Sequence, residues 1–214
     1  MRLRRMPRLV SFLLSQTITK LPREDNKVVY LTFDDGPHPE ITPWVMEQLA
    51  RYKAGGTFFL IGQNMEKYPA LSVDWYTSLG HSVGHHTYNH LNGLKTNNKE
   101  YFENVEKCAR MVGTSIFRPP YGKLKPSQYR FLSKKYQIVL WHLVTYDFDK
   151  TVTPKSIVEH VSLNAENGSI IVFHDSEKAF KNLSKSLPEV LGILHDKGFA
   201  FDVLKNTFAQ KNEK

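Results

Sequence analysis

The amino-acid sequence predicts an α/β fold in which seven strands of a parallel sheet alternate with helices. Short apolar runs recur along the chain, and stretches with helical spacing of apolar residues separate them. Most of the runs are apolar on both faces, as in parallel strands covered by helices. Unusual polar residues follow the ends of several runs. An open doubly wound sheet and a closed barrel both fit this pattern, although no Gly-x-Gly-x-x-Gly or Walker loop marks a nucleotide-binding sheet.

Apolar content and turn residues place the predicted elements. The predicted strands are residues 28–33, 57–61, 81–84, 115–117, 137–143, 169–173 and 199–203. Four predicted helices cover residues 68–79, 98–112, 126–135 and 187–197. Two more begin at Thr-Pro pairs, with Thr42 or Thr153 as N-cap and proline in the first turn. The first of these ends at Gly55, and the second ends near Gly168.

Length and composition predict one globular domain. The chain has 214 residues, 41% of them hydrophobic, which is enough for a core and excludes disorder. Its single cysteine, Cys108, excludes an internal disulfide framework and any metal site built from several cysteines. We expect a basic N-terminal segment at residues 1–26, the main domain at 27–206 and a short tail at 207–214.

The basic residues are concentrated near the amino terminus. Four arginines, Arg2, Arg4, Arg5 and Arg8, supply half of the net charge of +8. The remainder is only mildly basic, so nucleic acid is not an expected partner. The first 25 residues fit an amphipathic segment packed on the domain, a weak targeting segment, or a basic helix resting on an acidic membrane. No Ala-x-Ala site follows the short apolar patch, so a cytoplasmic location is favoured over the cell envelope.

Polar side chains follow five of the predicted strands. They are Asp34 and Asp35 after the first strand, His85, His86 and His90 after the third, Arg118 after the fourth, Asp147 after the fifth, and His174 and Asp175 after the sixth. The carboxyl ends of parallel strands meet at one face, where active sites are built. The sequence therefore predicts a functional site at this face, with Asp175 expected to cap the following helix.

Carboxylates and imidazoles in this set predict a divalent metal site. Asp34 and Asp35 would repel each other unless a cation lay nearby, although an Asx turn also explains them. Histidine pairs spaced by four residues occur twice, and we expect the pair His86 and His90, which lies beyond a strand end, to bind the metal.

The other pair, His81 and His85, is expected to be structural or to support the ligands. Three ligands, Asp35, His86 and His90, would leave coordination positions open, as in a catalytic metal site. Asp34 and His174 would then be free to transfer protons.

Four stretches of the chain resemble the motifs of the polysaccharide deacetylases, which form carbohydrate esterase family four and share the NodB homology domain. They read TFDDGP at 32–37, HTYNH at 86–90, FRPPYG at 117–122 and VFHD at 172–175. Their order and spacing match the family as well. The resemblance extends from about Val28 to Val203.

The resemblance implies a distorted (β/α)7 barrel that hydrolyses N-acetyl groups on amino-sugar residues of a saccharide. It makes Asp34 the general base, oriented by Arg118, and His174 the general acid, steered by Asp147. Tyr121 would offer its backbone N–H to the oxyanion. The same resemblance implies that Asp35, His86 and His90 bind a divalent ion, usually zinc.

The family has one more motif, which lies before the VFHD stretch and corresponds to residues 144–148; it is altered in this chain. Val144 stands where the family has an aspartate, and Phe148 stands where it has the tryptophan of the pocket wall. Val172 replaces a common leucine of the acetyl pocket. These changes bear on the substrate, so a related amidohydrolase acting on a small non-peptide amide is an alternative. A carbohydrate-binding domain without catalysis is a further one, which the intact Asp34 and His174 disfavour.

Overall fold

The computed structural model describes residues 17–206 of the chain. The strands are β1 (Thr17–Ile18), β2 (Val28–Asp34), β3 (Gly56–Leu60), β4 (Ser82–His85), β5 (Ile116–Phe117), β6 (Gln137–Val139), β7 (Leu143–Val144), β8 (Ser169–His174) and β9 (Ala200–Phe201). The α-helices are α1 (Ile41–Ala50), α2 (Gly62–Lys67), α3 (Val73–Ser78), α4 (Asn98–Val112), α5 (Pro126–Leu132), α6 (Pro154–Asn164) and α7 (Glu177–Asp196). The segments predicted at 1–26 and 207–214 lie wholly or largely outside the described residues.

The strands form a curled parallel sheet with the order β1-β6-β5-β4-β3-β2-β8-β7, and β9 pairs with β2 beside this path. β6 pairs with β5, whereas β7, which follows β6 after three residues, pairs with β8. Because β6 lies near one end of the strand order and β7 forms the other end, the segment 137–144 connects the two ends of the sheet. Counted as one strand, it makes seven with β2, β3, β4, β5, β8 and β9, and the predicted distorted (β/α)7 barrel is confirmed.

Alternation along the strands separates the helix-packed core from the barrel interior. In β2, Val29, Leu31 and Phe33 pack in the large cluster that includes residues of α1 and α7. Val28 and Tyr30 belong to the smaller cluster, with Ile18 and Leu21 packed against it. Because neighbouring side chains in a strand point to opposite faces, Asp34 follows Val28 and Tyr30 toward the interior.

Two predicted elements are wrong in extent. Of the helix predicted at 68–79, only residues 73–78 are helical, as α3; α2 lies before this range and was not predicted, and residues 68–72 separate the two helices. The residue before a proline disfavours helical backbone, so the helix cannot run through Tyr68. Ser72 then starts α3 by accepting a hydrogen bond from the Trp75 backbone N–H. The strand predicted at 137–143 is interrupted because the run changes its partner strand.

Several helix ends also differ from the sequence expectations. α1 ends at Ala50 rather than at Gly55, and α5 ends at Leu132 rather than at residue 135. α1 begins at Ile41, so Thr42 lies in its first turn and is not the N-cap. α6 ends at Asn164, before the predicted stop near Gly168. α7 begins ten residues earlier than predicted and passes through Pro188, because its buried face begins at Ala179 and continues to Leu194. Within residues 17–206, no helix is long and apolar enough to span a bilayer.

Candidate active site

The predicted site residues converge at the carboxyl ends of the strands. Asp34 ends β2, and its direct partner in the neighbouring strand is His174, the last residue of β8. Val172 lies two residues before His174, so both side chains point into the barrel mouth. The His86–His90 loop follows β4, and Arg118 follows β5. One end of the barrel thus carries all four motifs.

Asp35, His86 and His90 place three ligand atoms close together. His90 Nε2 lies 3.3 Å from Asp35 Oδ1, and His86 Nε2 lies 3.9 Å from the same oxygen. All three ligand atoms lie within 4.8 Å of one another. Asp35 Oδ1 is buried and has no hydrogen-bond partner in the described part of the chain. A buried carboxylate oxygen without a donor facing two imidazole nitrogens is a donor set that fits a divalent cation.

His86 is held in the form that a metal requires. Its Nδ1–H donates to the backbone carbonyl of Arg118 at 2.7 Å, which leaves Nε2 with its lone pair directed at the other ligands. Burial lowers the pKa of His86 to about 4, a larger effect than the opposing charge of Asp34. At neutral pH the ring is therefore neutral and able to bind a cation.

The ligand loops adopt backbone that L-residues seldom occupy. Asp35 has φ 81°, His90 has φ 60° and Thr87 has φ 66°. Such residues cost on the order of 1–3 kcal/mol each and persist where their surroundings fix them. The Asn64 side chain donates to the Asp35 carbonyl at 2.7 Å, and Asn104 Oδ1 accepts from the Tyr88 N–H at 2.8 Å. These two asparagines hold the loops, and no motif in the sequence singled them out.

Asp34 is paired with a buried arginine. Arg118 Nη1 donates to Asp34 Oδ1 at 2.7 Å and to Thr32 Oγ1 at 2.8 Å, and the guanidinium is fully buried. Burial alone would raise the pKa of Asp34, but the charge of Arg118, aided by His86, lowers it overall. Asp34 is therefore ionised at neutral pH and able to accept a proton.

His174 is paired with a buried carboxylate. Its Nδ1 lies 2.7 Å from Asp147 Oδ1, and its backbone N–H donates to Asp147 Oδ2 at 2.9 Å. Burial would lower the pKa of His174, but the adjacent Asp147 charge raises it to about 9. The imidazole is therefore protonated at neutral pH, with Nε2–H as its free donor.

A cavity of about 500 Å³ lies over these groups. The metal-site residues and His174 line it together with Tyr121, Val144, Phe148 and Val172, and with four residues that the sequence did not single out, Lys123, Trp141, Tyr146 and Lys178. The Phe148 ring packs edge-on against His174, with the ring centres 4.7 Å apart. Tyr121 has 56% of its surface exposed and contacts His90. Aromatic rings at the mouth and apolar side chains inside suit a sugar that carries an acyl group.

Three further residues that the sequence singled out, His81, His85 and Asp175, do not line the cavity. His81 accepts a hydrogen bond from the Gly56 N–H at the opposite end of β4, and His85 stacks on Phe117 in the core. Asp175 does not cap α7, because its carboxylate accepts hydrogen bonds from the Gly36 N–H and the Thr42 hydroxyl instead. The helix-cap prediction for Asp175 is therefore wrong.

Comparison with known proteins assigns the fold and the site to one family. The family model described as polysaccharide deacetylase matches residues 22–140. This chain belongs to the polysaccharide deacetylase family. The family predicted from the four motifs is confirmed, and so is the enzyme class, a metal-dependent hydrolase that acts as a carbohydrate N-deacetylase.

Individual relatives agree with the family assignment. A peptidoglycan-N-acetylglucosamine deacetylase of Bacillus cereus is 34% identical over 194 residues, which are 87% of this chain and 70% of the relative. A chitooligosaccharide deacetylase of Azorhizobium caulinodans is 32% identical over 71% of this chain and 75% of the relative. A crystal structure of a peptidoglycan N-acetylglucosamine deacetylase, in complex with 4-naphthalen-1-yl-N-oxidanyl-benzamide, has a TM-score of 0.83 and 30% identity. It covers 93% of this chain and 95% of the other.

Removing one metal ligand of this polysaccharide deacetylase should abolish tight metal binding. We expect one divalent ion per chain, and His86→Ala or Asp35→Ala should weaken its affinity by more than about 100-fold, since changes behind the ligands alone cost 10–100-fold. Competition with a chromophoric chelator measures this affinity. His81→Gln is the matched control, because His81 lies at the far end of β4. Full occupancy in His86→Ala would contradict the ligand set.

Removing the charge of Asp147 should lower the pKa of His174. In Asp147→Asn the effect of burial is no longer offset, so the pKa should fall from about 9 by more than one unit. Because the pKa is raised above its ordinary value of 6.5, the ion pair stabilises the fold below pH 6.5, and this stabilisation is lost as the pH rises through about 9. NMR titration of the imidazole measures the shift. Asp149→Asn, in the same loop, should leave it unchanged.

Proposed function

We propose that this polysaccharide deacetylase hydrolyses the N-acetyl group of N-acetylglucosamine residues in a bacterial glycan, with zinc at Asp35, His86 and His90. The observation that carries the proposal is geometric: Asp34, paired with Arg118, and His174, paired with Asp147, lie beside the three ligand side chains in one cavity. Two imidazoles and one carboxylate form a common catalytic zinc set. The relatives named for N-acetylglucosamine and chitooligosaccharide substrates support the choice of sugar.

Asp34 and His174 carry out the two proton transfers of the hydrolysis, one at the attacking water and one at the amide nitrogen. When bound, the cation would polarise the acetyl carbonyl and acidify a water molecule. Asp34, kept ionised by Arg118, accepts the proton of the attacking water. His174, kept protonated by Asp147, donates its Nε2 proton to the departing amine nitrogen, which otherwise leaves poorly. The backbone N–H of Tyr121 serves as a donor to the developing oxyanion, a contribution of about 3 kcal/mol to the barrier in comparable sites.

The first test is acetate release from defined substrates. The zinc-loaded protein should release acetate from chito-oligosaccharides or peptidoglycan fragments, and a chelator should stop it. Asp34→Asn and His174→Asn should each lower kcat by about 10²–10⁴-fold with the fold intact. Acetate from small amides but none from the saccharides would favour the amidohydrolase alternative. Saccharide binding by the zinc-loaded protein without any acetate release would favour the non-catalytic binding domain.

The rim of the cavity favours an acidic glycan. Lys123 and Lys178 both line the cavity and are exposed, and within residues 17–206 neither forms an ion pair. Lys178 Nζ lies 5.1 Å from the centre of the Phe148 ring, which in turn contacts His174. The two carboxylates in the cavity face Arg118 and the histidines, so they do not neutralise the lysines. A peptidoglycan strand carries carboxylates beside its N-acetylglucosamine residues and suits this charge, whereas a chito-oligosaccharide is neutral.

Removing the charge of Lys178 should therefore discriminate between the two glycans. Lys178→Gln should raise KM for peptidoglycan fragments about 5–10-fold and leave KM for chito-oligosaccharides unchanged, and added salt should reduce the difference. Steady-state kinetics on both substrates measures the effect. Lys181→Gln, also on α7 but outside the cavity, is the control. Equal effects of Lys178→Gln on both substrates would contradict an acidic-glycan preference.

A further inference from the structure

Asp175 carries a fully buried carboxyl group that the proton transfers do not use. It follows His174 directly but does not line the cavity. Its Oδ1 accepts a hydrogen bond from the Gly36 N–H at 3.1 Å, and its Oδ2 accepts one from the Thr42 hydroxyl at 2.5 Å. Burial raises the pKa of this carboxyl to about 8. A buried acid is costly to keep, so its contacts need a reason beyond filling space.

The Asp175 carboxylate occupies the space beside Gly36 that any other side chain would need. A Cβ placed on Gly36 would lie 2.3 Å from Asp175 Oδ2 and 2.8 Å from Oδ1, closer than real Cβ contacts come. The glycine of the TFDDGP stretch is thus required by the approach of a side chain from the VFHD stretch. The two motifs form one contact, although about 140 residues of sequence separate them.

This contact bears directly on the metal ligand Asp35. The Asp175 side chain fixes the peptide N–H that follows Asp35, and the Asp175 backbone N–H donates to the carbonyl of Asp34, which precedes it, at 3.1 Å. The backbone on both sides of Asp35 is therefore held by Asp175, the residue that follows β8. Its φ of 81° is strained, and relaxation would turn the carboxylate away from His86 and His90.

We propose that Asp175 is a positioning residue that holds Asp35 in the conformation in which it binds the metal. Thr42 supports it from the first turn of α1 by donating to Oδ2. This proposal rests on the proposed function, in which Asp35, His86 and His90 bind the metal. It adds that Asp175 increases the metal affinity of this site by fixing the conformation of Asp35. Asp175 touches neither the substrate cavity nor the ligand atoms, so its effect should appear in metal affinity before it appears in substrate binding.

The test compares zinc affinity in variants of the full chain, by competition with a chromophoric chelator. Asp175→Ala should weaken zinc binding about 10–100-fold, the range for residues that orient metal ligands. Asp175→Asn still offers an acceptor to the Gly36 N–H and should restore most of the affinity. With zinc saturating, Asp175→Ala should lower kcat with KM nearly unchanged. Thr42→Val, which removes one of the two hydrogen bonds without shortening the side chain, should weaken zinc binding by a smaller factor, about 3–10-fold.

Thr57→Val is the matched structural control. The Thr57 hydroxyl is equally buried, but it bonds Ser82 and the Leu204 N–H at the opposite end of the barrel. It should lower the unfolding temperature and leave zinc affinity unchanged. If Asp175→Ala fails to fold, the zinc affinity of Thr42→Val tests the positioning role instead. Wild-type zinc affinity in the folded variants overturns the positioning role alone, whereas absence of zinc binding by the unaltered protein overturns the metal site and this proposal with it.

Discussion

The buried guanidinium of Arg118 links the barrel to the chemistry at its mouth. It donates to Asp34 and Thr32 on β2 and to the carbonyls of Val139 and Leu140, and it lies 3.9 Å over the Phe59 ring. Removing one partner of a buried ion pair typically costs about 3–5 kcal/mol, because the other charge remains uncompensated. The strands and Asp34, the proposed general base, are therefore held by the same group. The Arg118 carbonyl also orients His86, so one residue supports both the proposed base and one of the proposed metal ligands.

The barrel mouth sets two acid–base groups to opposite states. Asp34 and His174 are direct partners in neighbouring strands, yet Arg118 lowers the pKa of the first and Asp147 raises that of the second. The environment thus supplies an ionised base and a protonated acid at the same pH, within one cavity. The proposed metal ligands lie beside Asp34, so a bound cation would polarise the acetyl carbonyl and acidify a water molecule next to this carboxylate.

Local patterns in the sequence predicted the strands and most of the candidate site. Asp34, Asp35, His86, His90, Arg118 and His174 stand in recognisable motifs at strand ends, and the parallel topology alone brings strand ends together. The helix predicted at 98–112 has these ends in the structure, where Gly113 terminates it and the Asn97 side chain accepts a hydrogen bond from the Glu100 N–H as its N-cap. Asn64, Asn104 and Lys178 could not be found in this way. Their importance arises from contacts between segments distant in sequence, and a single asparagine or lysine carries no pattern. The contact between Asp175 and Gly36 was not predicted for the same reason, because the local sequence around Asp175 indicated a helix cap.

Thr87 and Tyr146 share the left-handed backbone of the ligand loops without being predicted ligands. Backbone in this region costs on the order of 1–3 kcal/mol per residue, so these two positions lower the stability of the scaffold unless their surroundings offset the cost. Asparagine or glycine at these positions would relieve the local steric cost and raise the unfolding temperature, whereas valine or isoleucine would increase that cost. Directed evolution toward new acylated sugars would therefore find more freedom at Val144 and Phe148, on the pocket wall, than in the loops that bear the ligands.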